Sequence, residues 1–197
     1  MDIRELDRQA LAHAGEVIAQ VKADRLTLPT PCPDWTLHGL LRHIVSQNEG
    51  FAAAARGGGA VLSVWRNGRL GAEDPGADVE ESARLVREAF GEDGVLDRMF
   101  DLPEVGSAFP GAVAIGFHFV DTVVHAWDVA RTIGAEWDPG EEMVGAALRI
   151  AVRVPDAPGS RGPGLAFEPG IELPAGAPDR DRLLALLGRS PAWRGLD

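Results

Sequence analysis

The chain has 197 residues, 45% of them hydrophobic and 25% charged, a length and balance that support one folded domain and exclude a disordered one. Its 19 Lys plus Arg against 30 Asp plus Glu give a formal net charge of −11, a field that repels phosphate backbones and anionic lipid. Neither nucleic acid nor a membrane is therefore an expected partner. A single cysteine, a charged N-terminus and the lack of any apolar run of ~20 residues point to the cytoplasm.

Ile3, Leu6, Ala10, Leu11, Ala14, Val17, Ile18 and Val21 recur at spacings of three and four, which predicts a helix over residues 3–25. The prolines of Leu28-Pro29-Thr30-Pro31-Cys32-Pro33 stop it. Cys32, between two of them, reads as a small apolar plug rather than a ligand or redox thiol. Thr36 suits the N-cap of a second helix over 36–56, ended by Gly57-Gly58-Gly59. The Arg56–Gly59 run is no phosphate loop, because it follows a helix and lacks the Gly-Lys-Ser/Thr ending. Residues 60–78 read as a loop, in which Trp65 is either a core aromatic or a lid over a pocket. The other four Trp, at 35, 127, 137 and 193, read as core or boundary aromatics.

A third helix is expected from Asp78 to Phe90, a fourth from Gly111 to Gly134 and a fifth from Glu141 to about Val154. Residues 155–178 are rich in Pro and Gly. Within them Leu165-Ala166-Phe167 and Ile171-Glu172-Leu173 flank Glu168-Pro169-Gly170, the pattern of a small hairpin. A last short helix, Asp179 to Leu187, ends at Gly188. The fold class so predicted is an all-α helix bundle.

The fourth helix carries the chemistry. Apolar residues cover more than half of its circumference, and the remaining strip holds His118, Asp121, Thr122, His125, Asp128 and Thr132. A strip of that kind is ordinarily a wet face. A wet face, however, normally uses Lys, Glu, Arg and Gln, and this one has none. Asp121 and His125 are four apart, so their side chains leave one face one turn apart and can reach one cation. His43 lies at the edge of the second helix's apolar stripe of Leu37, Leu40, Leu41, Ile44, Val45 and Phe51. It joins them as a ligand only if the two helices face each other, and is otherwise an ordinary boundary histidine.

The run Thr30-Pro31-Cys32-Pro33-Asp34-Trp35-Thr36-Leu37, continued by Leu40-Leu41-Arg42-His43, resembles the start of the second helix in actinobacterial DinB-like metal-binding proteins. These are relatives of the metal-binding domain of mycothiol-dependent maleylpyruvate isomerase. Asp121-Thr122-Val123-Val124-His125-Ala126-Trp127-Asp128 is similar to their second signature. Arg161-Gly162-Pro163-Gly164 and the stretch Asp181 to Arg189 resemble an uncharacterised branch of the same family. The resemblance implies a DinB-like four-helix bundle over 1–154, with a Pro/Gly-rich extension over 155–197 packed on the same domain. It also implies a zinc or nickel ion on His43, Asp121 and His125. The isomerase has Glu at the place of Asp121, one methylene longer. His118, a turn back on the same face, is then either a compensating fourth ligand or a polar residue behind the site, and the latter is preferred. The isomerase also carries a separate C-terminal domain for which this chain has no room, so its activity is not expected to transfer.

Two histidines and one carboxylate leave an open coordination position, as in catalytic zinc sites. The first functional expectation is a metal-assisted transferase or isomerase that uses a low-molecular-weight thiol such as mycothiol. Asp128 is then either an orienter of a ligand or a solvent-facing cap. The alternatives are a non-catalytic metal-dependent binding or stress-response module, and a plain helical scaffold. A small-molecule thiol or substrate is the expected partner, and a homodimer is left open.

Overall fold

Asp2 caps the first helix, α1 (Ile3–Ile18), by accepting the Arg4 N–H at 2.9 Å, and the helix turns Leu6, Ala10, Ala14 and Val17 inward. The computed structural model describes residues 1–33, 35–66, 68–71, 74–154, 161–162 and 167–195. The helix expected to reach residue 25 stops at Ile18 because the next segment is drawn across the start of the second helix. The carbonyls of Leu28 and Leu26 accept the N–H groups of Leu37 and His38 at 2.8 and 2.9 Å, donors that no intrahelical partner can take.

Thr36 caps α2 (Leu37–Ala55) through the Gly39 N–H at 3.3 Å, as its sequence indicates. The 60–78 loop contains a short 3-10 turn, Leu62–Trp65, and Trp65 is core rather than lid. Its ring lies on Gly50, where an added Cβ would come within 2.3 Å of it, and its Nε1 donates to the Gly59 carbonyl at 2.7 Å. The next helix, α3 (Pro75–Phe90), begins earlier than the expected Asp78. Asp74 caps it by accepting the Ala77 N–H at 3.1 Å, with Pro75 in the first turn, where a missing N–H costs nothing.

Residues 91–110, for which the periodicity offers no helix, contain an antiparallel pair: β1 (Met99–Leu102) and β2 (Ser107–Pro110), with Phe100 opposite Phe109. The expectation of an all-α chain is therefore corrected to a mostly helical fold with one small sheet. Phe100 and Leu102 are buried while Met99 and Asp101 face out, the alternation of a half-buried strand. The hairpin expected at 165–173 falls partly outside the described residues, its first arm mostly so. Ile171 of the second arm donates its N–H to the Ala185 carbonyl at 2.9 Å.

The longest helix, α4 (Gly111–Ile133), ends on Gly134 in the left-handed conformation, φ 74°. It packs against α1, α2 and α5 (Glu141–Ala151), while α3 packs on α1 and α2. The last helix, α6 (Asp179–Leu186), packs on α5 and sends Leu183 and Leu184 into the same apolar cluster as Leu40, Phe119 and Trp127. No helix among the described residues is long and apolar enough to cross a membrane.

Candidate metal centre

The polar strip of α4 is not a wet face. His118, Thr122, His125, Asp128 and Thr132 are all buried, and Asp121 alone is partly exposed. Since α2 packs beside α4, His43 faces the pair that α4 presents one turn apart. The His125 Nε2 lies 3.2 Å from Asp121 Oδ1, and the His43 Nε2 lies 3.9 Å from the same oxygen. One donor atom from each of the three residues falls within 4.8 Å of the other two. The two imidazoles meet edge to face, with centroids 4.9 Å apart.

Electrostatics couple the three. Burial opposes charge on both partners, yet the neighbouring imidazoles of His125 and His43 hold the Asp121 carboxyl well below the usual carboxylate range. For His125 burial again works the other way. The Asp121 charge and the hydrogen bonds of Asp121, Asp128 and Cys32 outweigh it and raise the pKa well above an ordinary histidine. The arrangement is a carboxylate clasped by two ring nitrogens, with side-chain exposures of 27% for Asp121, 23% for His43 and 5% for His125.

Trp35 lies over this group, its ring centroid 4.5 Å from that of His43 and 6.0 Å from that of His125. It reads from sequence only as a boundary aromatic. Its place next to the Thr36 cap, about two turns before His43, is the signal that ties it to the site. Thr30 orders the preceding loop: its hydroxyl is 2.9 Å from the Cys32 carbonyl and 3.0 Å from that of Trp35.

On the other side of His125, Asp128 Oδ2 accepts from Nδ1 at 2.9 Å. Asp128 is fully buried, which removes its reading as a solvent-facing cap. Cys32 is corrected as well. It is half-buried and polar in its contacts, donating through Sγ to Asp128 Oδ2 at 3.3 Å and accepting from Arg189 Nη2 at 3.2 Å. Arg189, which the sequence places only at the end of a run resembling the family and not at a site, also donates to Asp128 Oδ2 at 3.2 Å. His118 faces a different layer. Its two ring nitrogens lie 2.6 Å from Asp7 Oδ1 and 2.9 Å from Asn48 Oδ1, so neither is free for an ion. A narrow cleft between α1, α2, α3 and α4 ends on Asp121 and His125, with room for about 20 Å³, a single water.

The chain matches the family model of the mycothiol maleylpyruvate isomerase N-terminal domain over residues 8–130. Two uncharacterized proteins, from two strains of Mycobacterium tuberculosis, are each 34% identical over 180 residues, covering 88% of this chain and 90% of theirs. Among solved structures, mycothiol-dependent maleylpyruvate isomerase and a histidine-to-alanine mutant of it share the fold, with TM-scores of 0.58 and 0.61 at 15% and 13% identity. The match covers 76% of this chain and 66% of each isomerase chain, so the chain spans just under two thirds of their length.

Proposed function

The chain belongs to the mycothiol maleylpyruvate isomerase N-terminal domain family, and on that premise we propose a divalent-metal protein that acts on a low-molecular-weight thiol. One ion, zinc in preference to nickel, sits on His43, Asp121 and His125. The scaffold is a DinB-like four-helix bundle of residues 1–154, with 155–197 an extension packed on it. The activity is that of a metal-assisted transferase or isomerase, with mycothiol as the thiol.

The observation that carries the reading is the convergence of Nε2, Oδ1 and Nε2 from two helices. Four-coordinate zinc with bonds of about 2.0–2.1 Å separates neighbouring donors by roughly 3.3 Å. Separations of 3.2 and 3.9 Å meet that requirement with small side-chain adjustments, even though Asp121 is shorter than Glu. Imidazole and carboxylate donors suit zinc. When bound, the ion supplies a Lewis acid that lowers the pKa of a coordinated thiol and holds the thiolate.

The residues do the rest. Asp128 takes the Nδ1–H of His125, which makes Nε2, the nitrogen that faces Asp121, the one that would hold the ion. Trp35 covers the His43 ring and excludes water from that side. The partly exposed edge of His43 and Asp121 is where a thiol reaches the site.

Cobalt substitution tests the reading, because thiolate bound to Co²⁺ adds an intense near-ultraviolet charge-transfer band. The protein used is Cys32→Ser, so that its own thiol cannot imitate the signal. Titration with mycothiol should give a saturable band that is absent in His125→Ala. If no thiol perturbs the metal spectrum at millimolar concentration, the transferase reading falls and the non-catalytic binding module replaces it.

A further inference from the structure

His125 is the most buried of the three proposed ligands, and what fixes it comes from the far end of the chain. Arg189 lies just beyond α6, after the left-handed turn at Gly188, φ 79°. Its side chain is 9% exposed, and its guanidinium divides its donors. Nη1 donates to the Leu187 carbonyl at 2.8 Å, which anchors the fork to its own turn. Nη2 lies 3.2 Å from Asp128 Oδ2 and 3.2 Å from Cys32 Sγ.

Asp128 Oδ2 is the junction. It receives Arg189, Cys32 and the Nδ1 of His125 on one oxygen, in a side chain with no exposed surface. A buried carboxylate needs a fixed counter-charge, and Asp128 the more so because its other oxygen, Oδ1, has no hydrogen-bond partner among the described residues. Arg189 is the contact of Asp128 whose charge does not depend on pH, and a planar fork anchored at one nitrogen fixes direction as well as charge. Removing it leaves the Asp128 rotamer held by α4, a thiol and the imidazole it is meant to orient. The chain of contacts thus runs from the C-terminal extension, through Asp128, to the ring whose opposite nitrogen faces Asp121.

We propose that Arg189 is a positioning residue of the metal centre: it holds Asp128, and Asp128 holds the His125 ring with Nε2 directed at the ion. The C-terminal extension is then part of the metal-binding machinery rather than an appendage of the bundle. This rests on the metal reading of the preceding subsection.

The test is Zn²⁺ affinity by competition with a chromophoric chelator, together with the visible spectrum of the Co²⁺ form as a readout of ligand geometry. Wild-type protein comes first, and if it binds no ion the metal reading itself fails and takes this inference with it. With binding established, Arg189→Gln should weaken affinity by roughly 10–100-fold, the size of effect that outer partners of ligating histidines have. It should also shift the Co²⁺ spectrum. Arg189→Lys keeps the charge but not the fork and should fall between the two. In an Asp128→Asn background, Arg189→Gln should cost no more than about twofold further, because the residue through which it acts is already changed. Wild-type affinity in Arg189→Gln, or an undiminished loss in the Asn background, overturns the proposal. Should Arg189→Gln fail to fold, Arg189→Lys decides: affinity and spectrum equal to wild type refute the role, and a loss with a shifted spectrum upholds it.

Discussion

The Asp121 carboxylate lies against two imidazoles, and that contact fixes what metal uptake must displace. Burial disfavours charge on His125, but the Asp121 charge beside it outweighs burial and raises the pKa of the ring well above 6.5. Zinc binding at pH 7 should therefore release about one proton, read by calorimetry in two buffers of different ionisation enthalpy. A count of zero would contradict the pairing. The same shifts set a window for the metal-free fold. The His125 share of stability is full below the ordinary value of 6.5 and is lost as pH rises through its raised pKa. The Asp121 share is full above 3.8 and is lost as pH falls through its depressed pKa. Among variants, His125→Ala should abolish binding, His43→Ala should nearly do so, and Asp121→Asn should weaken it, since an amide oxygen lacks the charge. His118→Ala should leave the stoichiometry at one ion. Elemental analysis ranks them, and a greater loss from His118→Ala than from Asp121→Asn would show that the wrong ligand on α4 has been chosen. The helical spacing of Asp121 and His125 is visible in the sequence because helix geometry is periodic. Cys32, Trp35 and Arg189 reach the site from a proline loop and from 61 residues beyond Asp128, where no period connects them.

The helices are joined by a buried polar belt that is separate from the site. Asp7 of α1 meets His118 of α4, His118 meets Asn48 of α2, and Asn48 donates to Ser82 of α3 at 2.9 Å, whose hydroxyl donates to the Val79 carbonyl at 2.7 Å. Every member is buried, so each donor depends on its neighbour rather than on water. Replacing Asp7 with Ala leaves a buried imidazole nitrogen unanswered and should cost about 3 kcal/mol or more in chemical denaturation. Zinc stoichiometry should not change. An unaltered denaturation midpoint would mean that the belt is not a tie between helices. At this scale the strongly periodic segments, α2 and α4, were legible nearly to the residue, because their caps Thr36 and Gly134 are local signals. The end of α1 was not, since it is set by the carbonyls of Leu26 and Leu28 closing the start of α2. Nor was the β1–β2 pair, whose four-residue strands are too short for an alternation to stand out and whose burial depends on Phe90 and Ile115 of other elements.

At the scale of the whole molecule, the question is whether the fold needs the ion. Leu40, Phe119, Val123, Trp127, Leu183 and Leu187 form one apolar cluster, and Phe51, Trp65, Val86, Phe90, Phe100 and Ile115 form a second, and both close without any of the proposed metal ligands. A zinc finger lacks such a core and unfolds when stripped. This chain is long enough to bury a core on its own. Chelator treatment should therefore leave the helical circular dichroism signal nearly whole. The ion should still stabilise by mass action, because it binds the folded state alone: at a free concentration about 100 times its Kd, the gain is about 2.7 kcal/mol. The net charge of −11 attracts cations without selecting a site, so the comparison must be made against His125→Ala at the same zinc and salt concentration. In that variant both the zinc-dependent gain and the chelator response should vanish while the spectrum stays helical. A collapse of wild-type protein to a coil spectrum on chelation would instead make the His43–Asp121–His125 cluster a structural clamp between α2 and α4, and the open coordination position would lose its functional meaning.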